Sequence, residues 1–171
     1  MKKLILFLLL LATMPAMAQG ELKFGYLSYN AVMQALPAYT AMQNNMAELR
    51  EKYEAEQKRV EDDFNKKYEE FLDGLKNFPK TILQKRQSEL QEMLDKNIAF
   101  KKESQRLLKQ AEEDAMAPIQ ARLATALETI GRERGYAFII NTDEKAALWL
   151  NPSLGEDVSE AVIEQLQKEE K

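Results

Sequence analysis

The chain has 171 residues, 30% of them charged, with 24 Lys and Arg against 28 Asp and Glu and neither histidine nor cysteine. Without His or Cys, the commonest general base, the usual nucleophile dyads and the zinc ligand sets are excluded, and no disulfide can help hold the fold. A net charge of −4 argues against nucleic acid, whose phosphates reward clustered Lys and Arg.

The first eighteen residues, MKKLILFLLLLATMPAMA, have the three parts of a secretory signal peptide. Lys2 and Lys3 form the charged region, Leu4 to Ala12 the apolar region, and Ala16-Met17-Ala18 a small-x-small cleavage site. The apolar run is too short to span a bilayer, which needs about 20 residues. Cleavage after Ala18 leaves 153 of the 171 residues and removes two lysines and no acid, so the mature charge is about −6. The mature chain is expected to carry no membrane anchor, because no second apolar span follows and no cysteine is present for a lipid.

Next comes LKFGYLS, where Phe24, Tyr26 and Ser28 alternate with Gly25 and Leu27 as in a short strand. A helical stretch, NAVMQAL, leads to Pro37. From there to Pro79 the only helix breaker is Gly74, and Glu, Lys, Gln, Ala and Leu dominate. A helix of about 37 residues would be about 55 Å long, which is more than a compact domain of this size can wrap. Ala38, Met42, Met46, Leu49, Tyr53, Gln57, Val60, Phe64, Tyr68, Phe71 and Leu75 follow a 4-4-3 step. That eleven-residue repeat predicts a seam nearly straight or slightly right-handed.

Gly74 and Pro79 punctuate DGLKNFPKT as a tight connection between helices. A second helix is predicted from about Thr81, with its seam on Leu83, Leu90, Leu94, Ile98, Leu108, Ala115, Ile119, Leu123 and Ile130. A short link between long helices means an antiparallel hairpin. Counting outward from the turn sets Lys101–Arg106 beside Glu54–Arg59, where both seams are poorest in apolar residues. That level is either a solvated face covered by long side chains or a low-stability joint.

A second apolar line, Ile82, Met93, Phe100 and Leu107, is spaced by 11, 7 and 7 and lies away from the predicted seam. It either widens the packing stripe or is exposed apolar surface suited to varied partners. Pro118 predicts a kink, or a new helix beginning there. GYAFIINTDEKAALWLN, residues 135–151, then reads as a β-hairpin with its polar turn at Asn141–Lys145. A lone hairpin is marginal in water. In GEDVSEAVIEQLQKEEK, Val158, Val162, Ile163 and Leu166 make a one-sided final helix, with Asp157 or Ser159 available to cap it.

No GxxxxGK[ST] or GxGxxG phosphate cradle is present. The carboxylates are spaced as partners of Lys and Arg along helices. An enzyme is not expected, and neither a cofactor nor a metal is called for.

The chain resembles the OmpH/Skp family of periplasmic chaperones over essentially its whole mature length. The segments that carry the likeness are KFGYLSYNAVMQALPAY, then PIQARLATALETIGRERGYAFIINTDEKAALWLNP, then EDVSEAVIEQL. The resemblance implies a mostly α fold with a small β body and a coiled-coil arm, assembled as a jellyfish-like homotrimer. The body would be residues 19–37 with 120–171, and the arm residues 38–119 with its tip near 76–81. The body would use Phe24, Tyr26, Leu27, Phe138, Ile139, Ile140, Leu148, Trp149 and Leu150. Unfolded outer-membrane proteins would be held between the arms without ATP, in the periplasm, with Ile82, Met93, Phe100 and Leu107 as candidate contacts. The best-known member is basic whereas this chain is acidic, so binding to lipopolysaccharide or anionic lipid is not carried over. The hairpin then reads as an assembly element, whose missing surface is the same hairpin in two other subunits. The competing reading is a periplasmic spacer or adaptor that docks through its hairpin tip.

Overall fold

A computed structural model of the chain describes residues 22–143, 149–151 and 153–168. Strand β1 (Phe24–Leu27) leads into the short helix α1 (Tyr29–Gln34), whose start is capped by Ser28 accepting from the Ala31 N–H at 3.1 Å. Leu36 is extended, as the residue before a proline must be, and Pro37 occupies the first turn of helix α2 (Pro37–Gly74). After a turn at 75–79, helix α3 (Lys80–Arg134) returns along α2. At about 1.5 Å per residue, their 38 and 55 residues make rods of about 57 and 82 Å.

The tip turn is built on one glycine. The Phe78 ring lies over Gly74 so closely that a Cβ there would be 2.0 Å from a ring carbon, while the Gly74 carbonyl accepts from the N–H groups of Asn77 and Phe78. Arg86 stacks on the outer face of the same ring at 4.4 Å. At the far end, Gly135 takes a left-handed φ of 68° and Tyr136 N–H donates to the Gly131 carbonyl, which closes α3.

Pro118 does not start a new helix. The helix α3 passes through it, and the buried face that begins at Ile119 and continues through Leu123, Ala126 and Ile130 holds the segment beyond it. These residues pack with Leu27, Val32, Met33 and Leu36, with Met42 and Met46 of α2, and with Val158, Val162 and Leu166. The last two lie on helix α4 (Ser159–Lys168), whose first residue, Ser159, donates its backbone N–H to the Asp157 carboxylate at 2.9 Å. The core therefore sits at the root of the two long helices, and the rest of their length extends beyond it.

The expected hairpin is not what the strands form. Strand β2 (Ile139–Asn141) and strand β3 (Gly155–Asp157) lie on opposite sides of β1 in the order β2-β1-β3, and both run parallel to it. Gly25 faces Ile139 and Phe24 faces Gly155 across the two ladders. The predicted second hairpin strand falls partly on residues 144–148, including Leu148, which lie outside the described residues; Trp149 and Leu150 are described and are not in a strand. The reason is that β1 offers two open edges, and each later strand gains more by pairing there. Leu27 carbonyl accepts from Thr142 N–H and Tyr26 carbonyl from Val158 N–H, both at 2.9 Å. Gly155 permits the close approach, since a Cβ would be 2.4 Å from the Phe24 ring.

Candidate functional site

Three regions present side chains for binding: the seam and faces of the arm, its tip, and the uncovered side of the sheet. Along the arm, the face of α3 turned to α2 is set by a seven-residue period. Leu90, Asn97, Ser104 and Ala111 form one row, and Met93, Phe100 and Leu107 the other, each buried or half-buried. Phe100 packs against Tyr53 with ring centroids 6.3 Å apart, and Asn97 Nδ2 donates to the Val60 carbonyl at 3.1 Å. Ser104 is buried and donates to the Phe100 carbonyl at 2.8 Å.

This corrects the sequence-based assignment of faces. Met93, Phe100 and Leu107 belong to the packing between helices, whereas Leu94 and Ile98, expected in the seam, are exposed, Ile98 to 59%. Spacing of seven was itself the seam signal. It was hidden because Asn97 and Ser104 are polar and an apolar count passes over them. Of the four candidate contacts, Ile82 alone is exposed. On α2 the eleven-residue pattern follows burial from Ala38 to Phe64, but Tyr68 and Leu75 are exposed.

The register also differs from the count made outward from the turn. Tyr53 meets Phe100 and Val60 meets Asn97, so Glu54–Arg59 lies nearer Asn97–Ser104 than Lys101–Arg106. Gln57 and Asn97 thus fall at about one height, and the polar Ser104 follows two turns along α3 toward the root.

The outer faces carry ion pairs one turn apart: Glu48 with Lys52 at 2.7 Å, Arg59 with Glu56 at 2.6 Å and Asp63 at 2.8 Å, Lys96 with Glu92 at 2.6 Å, and Arg106 with Glu103 at 2.7 Å. Hydrogen bonds from those cations hold the carboxyls of Glu48, Glu56, Glu92 and Glu103 below the usual carboxylate range. Such solvated pairs orient side chains and keep the arm polar, and each contributes little to stability.

At the tip, Leu72, Leu75 and Ile82 are exposed close to Lys76, Lys80, Lys85 and Arg86. At the body, Phe24 and Leu27 are buried, and Tyr26, Ile139, Ile140 and Leu150 are half-buried. Phe138 stacks on Phe24 at 5.6 Å yet remains exposed, and Trp149 is 77% exposed. Leu22 and Leu154 are exposed beside the same sheet. Glu156 of β3 accepts from both Arg134 and Tyr136, tying the end of α3 to the sheet edge. Burial first, then that carboxylate, pushes the Tyr136 phenol above its ordinary value.

Elsewhere, Asp143 accepts from the Ser28 hydroxyl at 2.7 Å and the Asn30 N–H at 2.6 Å, and Asn141 accepts from the Tyr29 N–H at 3.2 Å. These bonds fasten α1 to the end of β2. Among the described residues there is no group of three or more acidic side chains placed to hold a metal ion, and no helix long and apolar enough to cross a membrane.

The fold has a counterpart among solved structures. The crystal structure of a candidate OmpH-like outer membrane chaperone from Caulobacter crescentus CB15 superposes with a TM-score of 0.68 at 13% sequence identity, covering 85% of this chain and 84% of that one. No curated protein matches the chain in sequence. The model of the family "Outer membrane protein (OmpH-like)" matches residues 23–166. A two-helix arm rooted in a three-stranded parallel sheet, matched by sequence over nearly its whole described length, places the chain in the OmpH-like family of outer membrane proteins.

Proposed function

We propose that the protein is a periplasmic holdase chaperone, working without ATP, that binds unfolded outer-membrane proteins between the arms of a homotrimer. The observation that carries the reading is the uncovered apolar surface at the root of the arm. Phe138 and Trp149 stand in solvent beside a sheet too small to shelter them, and large exposed apolar groups of this kind mark a surface that binds. Two further copies of the same body would cover it and bring three arms together. The Caulobacter protein of the same fold is itself described as a candidate outer membrane chaperone.

Holding would come from many weak contacts along the arms. An extended client gains a little at each exposed apolar side chain and leaves when folding elsewhere gains it more, so no nucleotide is needed. Ile82 fits this role directly. Met93, Phe100 and Leu107, half-buried in the seam, would shape the arm more than touch a client. The residues before the mature chain lie outside the described residues, and export with cleavage after Ala18 is part of this proposal.

The test is light scattering of a urea-unfolded β-barrel membrane protein diluted into buffer. Suppression of its aggregation at about one trimer per client is expected, and aggregation unchanged at excess would refute the reading. The exposed Leu72, Leu75 and Ile82 at the tip favour a second one, end-on docking to another periplasmic coiled coil. Leu72→Ser with Leu75→Ser should leave a holdase nearly intact but would abolish such docking.

A further inference from the structure

The chain has 8 methionines, of which Met1, Met14 and Met17 precede the expected cleavage site. Three of the remaining five, Met42 and Met46 of α2 and Met116 of α3, line one cavity of about 280 Å³ near the root of the arm, bordered also by Gln43, Arg50 and Glu112. Met42 and Met46 are 8% and 7% exposed, and Met116 is half-buried against the same core. Met42 and Met46 lie one helical turn apart, about 6 Å along the axis, and Met116 reaches the cavity from the returning helix.

We propose that these three thioethers bind one soft monovalent metal ion, of the class of Cu(I), where α2 and α3 leave the body. Packing alone accounts poorly for the arrangement. Methionine fills irregular gaps in cores, and Met33, 2% exposed, does that. Beside Met42, Met46 and Met116 the gap stays open. Leucine matches methionine in helix propensity and loses less side-chain freedom on burial, so three leucines would pack this place at lower cost.

Donor chemistry selects the ion. Thioether sulfur is soft, uncharged and has no proton to lose, and such ligands favour Cu(I) over the hard divalent ions that carboxylates hold. The rim pairs one carboxylate, Glu112, with one guanidinium, Arg50, so it has no net charge to draw Mg(II) or Ca(II). The chain has neither Cys nor His to compete for a soft ion, and among the described residues no acidic group of three or more forms a rival site. A bound ion would tie α2 to α3 and stabilise the folded root by mass action. Client holding uses other surfaces, so neither reading depends on the other.

The experiment labels the mature chain with carbon-13 at its methionine methyl groups and titrates it with silver nitrate in chloride-free buffer, then with Cu(I) kept reduced by ascorbate. The methyl signals of Met42, Met46 and Met116 should move together and saturate at one ion per chain, while those of Met33 and Met93 stay in place. Met42→Leu with Met116→Leu, a swap that keeps core volume, should abolish the movement at Met46, and Met93→Leu should leave all three shifts unchanged. Silver should raise the urea midpoint of the wild-type chain and not that of the double variant. Were no methyl to move, were Met93 to move with the three, or were Met116 to respond alone, the site would be refuted. Zn(II) moving the same three signals would refute the choice of a soft ion. The wild-type shifts decide the question even where the double variant folds poorly, and a chain that binds silver at this site without suppressing aggregation would cost the holdase reading alone.

Discussion

Phe100 and Ile98 stand two residues apart on α3 and face different surroundings. The Phe100 ring packs on Tyr53, while Ile98 is 59% exposed. Phe100→Ala should therefore cost about 2–3 kcal/mol, somewhat less than a fully buried phenylalanine, and Ile98→Ala should stay within about 0.5 kcal/mol, both read from urea unfolding. Equal losses, or a larger loss at Ile98, would restore the face assignment that apolar counting gives. Gly74 supplies a second test at this scale. A methyl there meets the Phe78 ring, so Gly74→Ala has to displace that ring from Arg86 and should cost about 1–2 kcal/mol. An unchanged unfolding midpoint would contradict the ring's placement at the tip.

The elements themselves were legible to different degrees, for physical reasons. The strand at Phe24–Leu27, both long helices, the Gly74–Pro79 turn and the final helix follow from local signals: alternation, helix-forming composition and breakers. The pairing of β2 and β3 was not legible, because a parallel partner more than a hundred residues away leaves no local mark, whereas two apolar runs about a polar turn imitate a hairpin. Of the two readings at Pro118, the new helix failed for a similar reason, since the core contacts that carry a helix through a proline are tertiary. The packing face of α3 was misassigned because Asn97 and Ser104 occupy seam positions that an apolar count discards. Their polarity has a consequence for the arm. Amides around Gln57 and from Asn97 to Ser104 should exchange faster than those from Ile119 to Ile130, where the core is apolar; uniform protection along both helices would rule out a joint. Asn97→Leu should slow exchange at that level, because an apolar residue at a seam position packs better than a polar one. Acidification acts on the same helices. The carboxyls of Glu48, Glu56, Glu92 and Glu103 are held below their unfolded value by neighbouring cations. Their contribution is therefore complete above the usual carboxylate range, about pH 4, and is lost as pH falls through the lower folded values. Helical circular dichroism should fall modestly below about pH 4, and a rise in helicity there would contradict the sign.

At the scale of the whole molecule, an arm anchored at one end needs a body that holds its root. The root is well packed, through Leu123, Ala126 and Ile130 against Val158, Val162 and Leu166, but the sheet beside it leaves Phe138 and Trp149 uncovered. In the proposed trimer, this small sheet with open edges and exposed aromatic side chains would be one side of an interface, and association would supply the rest. The proposed function depends on that step, because a single arm encloses nothing and three arms enclose a space. The most direct test is the mass in solution of the mature chain, residues 19–171, measured by sedimentation alone and after mixing with a urea-unfolded β-barrel membrane protein. Three chains alone, and three chains with one client in the mixture, are the predicted species; a stable monomer that stays a monomer beside the client would contradict the account.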